Sequence, residues 1–145
     1  MKLKEVMSTD VEVMHPTDSL QTAAQKMRDR DIGFLPVVEA GQLLGVVTDR
    51  DLVLRTMATG MDMKTMLGRD MVTSPGLYVF DDQTVEEAGQ IMRDHQIRRL
   101  VILNRKDGTV VGVVSLGDLA TNAPLEEAGD VLKSVSSAGV VKTGR

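Results

Sequence analysis

GVVTDRDL, residues 45–52, returns 67 positions later as GVVSLGDL, residues 112–119. In both copies branched residues that favour strands lead into Thr48-x-x-Asp51 or Ser115-x-x-Asp118, the spacing with which a hydroxyl and an acid cap the start of a helix. The stretch predicts a strand that turns directly into a helix, built twice.

Outward from this turn the two copies continue in register. An offset of 65 pairs QKMRDRDIGFLPVV (25–38) with QIMRDHQIRRLVIL (90–103), and two extra residues before Gly108 move the offset to 67. Leu20, Ala23, Ala24 and Met27 recur at i, i+3, i+4 and i+7, as do Val85, Ala88, Gly89 and Met92, so each half carries a helix with one apolar stripe. Ser19 or Asp18 is placed to cap the first helix, and Thr84 with Glu87 has the capping-box spacing for the second. FLPVV (34–38) and LVIL (100–103) predict strands, each joined through a turn at EAGQ or NRKDGT to a second strand, LLGVVT or VVGVVS. Gly60 is placed to end the second helix of the first half. The expected fold class is α/β (α+β), two tandem β-α-β-β-α units. The first repeat covers 1–60, a connector 61–68 and the second repeat 69–122. Beyond it, 123–145 holds a helix striped by Leu125, Ala128, Leu132 and Val135 and a mobile end.

Composition narrows the function. The chain has 145 residues, and half of that length buries apolar surface poorly alone, which favours two halves sharing a core. A formal charge of −4 and only three aromatic residues, Phe34, Tyr78 and Phe80, give no basic or stacking surface for nucleic acid. No cysteine is present, so disulfides, thiolate nucleophiles and thiolate zinc sites are excluded. No stretch is long and apolar enough to span a bilayer, and the opening MKLKEVMSTD lacks a secretory apolar run, so a cytoplasmic protein is expected. The only histidines, His15 and His95, stand eighty residues apart without metal-ligand spacing, so neither a metal site nor catalysis is expected. Met7, Met27, Met71 and Met92 recur at similar places in the two halves and are expected to fill the core.

The doubled turn has two uses. One is capping alone: the hydroxyl accepts from the amide three residues on, and the carboxylate reaches back to the start of the helix. The other is ligand binding, since backbone amides and the helix dipole at such a turn attract anionic ligands, and an Asp there can accept both hydroxyls of a ribose.

VMSTDVEVM, TAAQKMRDRDIGFLPVV and GVVTDRDL, followed by HQIRRL and GVVSLGDL, resemble a pair of CBS domains, the arrangement also called a Bateman module, in its stand-alone form. The resemblance covers roughly residues 3–122. It implies two pseudo-twofold-related units packed sheet to sheet with two clefts between them, and a homodimer. It also implies a regulatory, non-catalytic module for adenosine-containing ligands (AMP, ADP, ATP or S-adenosylmethionine) that passes occupancy on as a change of shape. By the resemblance, Asp51 and Asp118 hold ribose hydroxyls, and Thr48 and Ser115 assist at the ribose or phosphate. Arg50, Arg98, Arg99 and His95 are candidates for the phosphates, the arginines because their forked donors suit them, and Ile32, Pro36, Ile97 and Val101 flank the base. A protein partner acting in trans is expected to read the result; the alternative is a dimeric interaction module that binds no nucleotide.

The two copies are not equal. Gly117 stands where the first copy has Arg50, and the first copy has Gly33 and Phe34 where the second has Arg98 and Arg99. Positive charge is therefore divided between the halves, and one cleft is expected to bind better than the other. Val101 replaces the strand proline, Pro36.

Overall fold

The computed structural model describes residues 1–72, 76–122, 126, 129–130 and 132–133. Of the striped C-terminal segment, Leu125, Ala128 and Val135 lie outside the described residues.

The helices start where their caps stand. Helix α1, Leu20–Arg30, begins at Ser19, whose hydroxyl accepts from the Thr22 amide. Its stripe of Leu20, Ala23 and Met27 is buried. Strands β1 (Phe34–Glu39) and β2 (Gln42–Thr48) form an antiparallel hairpin. Ala40 and Gly41 turn it with φ of +51° and +79°, the positive pair whose twist matches that of two-residue hairpins. After Thr48 comes α2, Asp49–Leu52, which continues as a π-helical turn, Val53–Met57, and Gly60 beyond it has φ +76° as its helix-ending position requires. A short helix α3, Gly68–Met71, follows.

The second copy repeats this plan. A strand β3, Tyr78–Phe80, precedes α4, Val85–His95, which is capped by the Thr84–Glu87 box. Strands β4 (Arg99–Leu103) and β5 (Val110–Ser115) lead to α5, Leu116–Asn122. Its sheet has the order β3-β4-β5, with β3 parallel to β4. In the first copy the corresponding strand shrinks to one parallel bridge, Met14 to Val37.

The spatial units are cut differently from the sequence repeats. One unit is Glu12–Gly76 and the other is Met1–Val11 with Leu77–Arg145. The N-terminal residues thus dock on the second repeat: the amides of Leu3 and Lys4 donate to the carbonyls of Gln83 and Asp81, and Leu3 is fully buried in the cluster with Val85, Leu100 and Leu119. Residues 66–69 do the same for the first repeat. The amides of Gly68 and Arg69 donate to the carbonyls of Asp18 and Pro16, at the positions equivalent to Gln83 and Asp81, and the Leu20 amide donates to the Met66 carbonyl as that of Val85 does to Met1. The segment expected to be a connector is therefore part of the first unit, with Met63 and Met66 packed on its core of Met14, Leu35, Val47 and Leu52.

Candidate functional site

Both doubled turns are complete capping boxes. In the first unit the Thr48 hydroxyl accepts from the Asp51 amide at 3.1 Å, and Asp51 Oδ2 accepts from the Thr48 amide at 3.2 Å. In the second unit the Ser115 hydroxyl accepts from the Asp118 amide at 3.0 Å, and Asp118 Oδ2 accepts from the Ser115 amide at 2.9 Å. Each box engages one carboxylate oxygen; among the described residues Oδ1 of Asp51 and of Asp118 accepts no hydrogen bond. Both carboxylates are half-buried. The geometry realises the capping use and still leaves an acceptor open on each acid, so the two uses do not compete for the same oxygen.

A second bond anchors each turn. The amide of the first helical residue donates to a carbonyl just ahead of the neighbouring strand: Asp49 to Gly33 at 3.0 Å, and Leu116 to Arg98 at 2.8 Å. With the pairings Phe34 to Thr48 and Arg99 to Ser115, this brings the backbones of Arg98 and Arg99 to the Ser115–Asp118 turn. Arg50, Arg98 and Arg99 are exposed, and among the described residues none forms an ion pair. Each is thus available to an anion. His95, exposed at the last position of α4, is not hydrogen-bonded to the other candidates.

The candidate apolar walls differ in access. Ile32 and Ile97 are half-buried, whereas Pro36 and Val101 are buried. The last two occupy equivalent mid-strand positions, paired with Val46 and Val113.

One feature of the site escaped the sequence reasoning. Asp49, which aligns with the buried Leu116, is exposed and lies against Gly33, where a Cβ would come within 2.7 Å of Oδ2. Gly33 leaves room for the acid of its own turn, so the Gly33/Arg98 and Asp49/Leu116 differences are one exchange rather than two. The mismatch of Asp49 with Leu116 inside an otherwise matching turn was the available signal.

Comparison with known proteins accords with this architecture. The family model of the CBS domain matches residues 3–57 and 68–124. The CBS domain-containing protein YhcV of Bacillus subtilis is 41% identical over 135 residues, covering 92% of this chain and 94% of YhcV. The crystal structure of Hypoxic Response Protein I with two coordinated zinc ions superposes with a TM-score of 0.79 at 30% identity, over 86% of this chain and 100% of that one. The structure of CBSX2 in complex with AMP superposes with a TM-score of 0.69 at 25% identity, over 81% of this chain and 91% of that one. The zinc belongs to that protein; in the chain described above, no group of three or more His, Asp or Glu side chains gathers at ligating distance among the described residues. No helix among these residues is long and apolar enough to cross a membrane.

Proposed function

Because this chain belongs to the CBS domain family, we propose that it is a regulatory module whose doubled turns bind an adenosine-containing ligand: AMP, ADP, ATP or S-adenosylmethionine. The observation that carries this reading is the open Oδ1 on two half-buried acids, Asp51 and Asp118, each held in place by its own capping box. A carboxylate is an acceptor only, and one fixed at a helix start suits a pair of adjacent hydroxyls such as those of ribose. Thr48 and Ser115 stand beside them at the ribose or phosphate. Arg50 supplies charge to phosphates in the first unit, and Arg98, Arg99 and His95 supply it in the second. Ile32, Pro36, Ile97 and Val101 flank the base, the half-buried Ile32 and Ile97 offering it the more accessible apolar surface. The AMP found with CBSX2 supports an adenine nucleotide as the ligand class. No residue is assigned a catalytic role; occupancy acts by changing the conformation that a partner protein reads.

The expected affinity is moderate. A mononucleotide of about 23 heavy atoms at roughly 0.3 kcal/mol per atom gains about 7 kcal/mol, a Kd on the order of 10 µM. Differential scanning fluorimetry and calorimetry with AMP, ADP, ATP, S-adenosylmethionine and NADH test the proposal. Saturable stabilisation by one of the first four, lost in Asp51→Ala or Asp118→Ala, supports it. No shift from any of them at millimolar concentration overturns it and leaves an interaction module that binds no nucleotide.

A further inference from the structure

Met57, Met61, Met63 and Met66 crowd into residues 57–66, and they do not share one role. Core packing accounts for Met66, which packs against the buried core of the first unit. It does not account for Met57, which is 76% exposed at the end of the π-helical turn, a feature frequent at functional positions.

Met57 lines a cavity of about 250 Å³ together with Met27 of α1, Met63 of the segment after the π-helical turn, Ala24 and Asp49. Thioethers from separate parts of the chain thus share one wall. Met27 is 6% exposed and fixed in the core. The segment carrying Met63 is pinned by the Gln21 amide on the Met63 carbonyl and by the Met61 amide on the Thr56 carbonyl, both at 3.1 Å. Ala24 is small enough to leave the space open. Met57 is the adjustable member, since an unbranched thioether can turn its sulfur inward.

The chemistry of this wall is selective. Thioether sulfur is a soft, uncharged donor, and it favours Cu(I) over hard ions. Ca²⁺ and Mg²⁺ require several oxygen ligands, whereas the wall offers one carboxylate, Asp49, and the Thr56 hydroxyl is already bonded to the Leu52 carbonyl. Zn²⁺ prefers imidazole and thiolate; the chain has no cysteine, and among the described residues no histidine lines the cavity. One carboxylate beside neutral sulfurs balances a single positive charge. The other unit does not repeat the set: Met92, the counterpart of Met27, is fully buried, and Leu116 and Pro124 align with Asp49 and Met57.

We propose that Met27, Met57 and Met63 form a thioether site for a soft monovalent cation, Cu(I) or its heavier analogue Ag(I), with Asp49 balancing the charge. The inference is independent of nucleotide binding.

NMR of the full chain carrying carbon-13 methionine methyls, titrated with silver(I) nitrate in chloride-free buffer, tests it. The methyls of Met27, Met57 and Met63 are expected to shift together and to saturate at one equivalent per chain. Those of Met92, which is buried, and of Met1 and Met61, exposed but outside the wall, are expected to stay. Anaerobic Cu(I) should move the same methyls, and Mg²⁺ and Zn²⁺ none. Met57→Leu and Met63→Leu nearly conserve volume while removing the sulfur, so circular dichroism should not change. Calorimetry is expected to show each binding Ag(I) at least about tenfold more weakly, as losses around a metal site typically do. Met61→Leu should bind as the wild type does. Shifts that follow exposure, with Met57 and Met61 moving alike without saturation and Met27 unmoved, mean adventitious thioether contact only and overturn the proposal. So do leucine variants at 57 and 63 that bind Ag(I) as tightly as the wild type, or a Cu(I) titration that moves none of the three methyls.

Discussion

The Asp118 carboxylate accepts from the Ser115 amide at 2.9 Å while the Ser115 hydroxyl accepts from the Asp118 amide at 3.0 Å, so each residue holds the other's backbone. Two roles on one acid can be separated by substitution. Asp118→Ala removes the cap and should cost about 1 kcal/mol, roughly 3 °C in Tm for a chain of this size, and should weaken nucleotide binding by roughly ten- to a hundredfold. Asp118→Asn keeps an acceptor for the Ser115 amide but loses the charge. It should hold Tm within about 1 °C of wild type yet bind nucleotide as poorly as the alanine variant. Calorimetry on the two variants checks both halves; equal loss of Tm in both would assign the carboxylate charge to stability instead.

Leu3 stabilises the unit built from the opposite repeat. It is fully buried among Val85, Leu100 and Leu119, and Leu3→Ala should cost roughly 2–5 kcal/mol in urea unfolding. The loss is local in origin. Hydrogen exchange in the variant should quicken first in α4 and β5, before α1, because α1 belongs to the other unit.

Two glycines that both face close neighbours should respond differently. A Cβ at Gly112 would lie 2.7 Å from Met7 Sδ and 2.9 Å from the Ser8 carbonyl oxygen. That backbone is itself paired with Val113 in both directions. Gly112→Ala should therefore cost about 1–3 kcal/mol. At Gly33 the obstructing atom is the end of the exposed Asp49 side chain, which can swing away, so Gly33→Ala should cost under about 1 kcal/mol. Thermal unfolding of the pair decides this, and equal losses would contradict it.

Acid should loosen the Asp82–Arg105 pair. Arg105 donates to both oxygens of Asp82 at 2.8–2.9 Å and lies 4.1 Å from the centroid of the Phe80 ring. These hydrogen bonds hold the Asp82 carboxyl below its ordinary range. A carboxylate depressed in the folded state adds stability above its unfolded pKa of about 3.9 and loses it as pH falls through the lower folded value. The effect is small at an exposed pair. Carbon-detected NMR titration should place the Asp82 midpoint below about 3.9, and Arg105→Gln should raise it.

Local sequence by itself determined the elements of this protein. Ser19, Thr48, Thr84 and Ser115 start helices because each cap is satisfied within three residues. The stripes of α1 and α4 bury as their spacing requires, and the internal copy made the order of elements and the family legible. The candidate residues around each turn were legible too, since Thr48 with Asp51 and Ser115 with Asp118 are neighbours in sequence. Tertiary structure alone decided which bodies the leading segments join. Leu3 and Gly68 sit at equivalent repeat positions and dock on opposite repeats, a choice made by hydrogen bonds to Gln83 and Asp18 tens of residues away, which no local pattern encodes. It alone also decided that Val53 and Met57 face outward beside a cavity. Apolar spacing states which side chains share a helix face; whether that face is covered depends on distant chain.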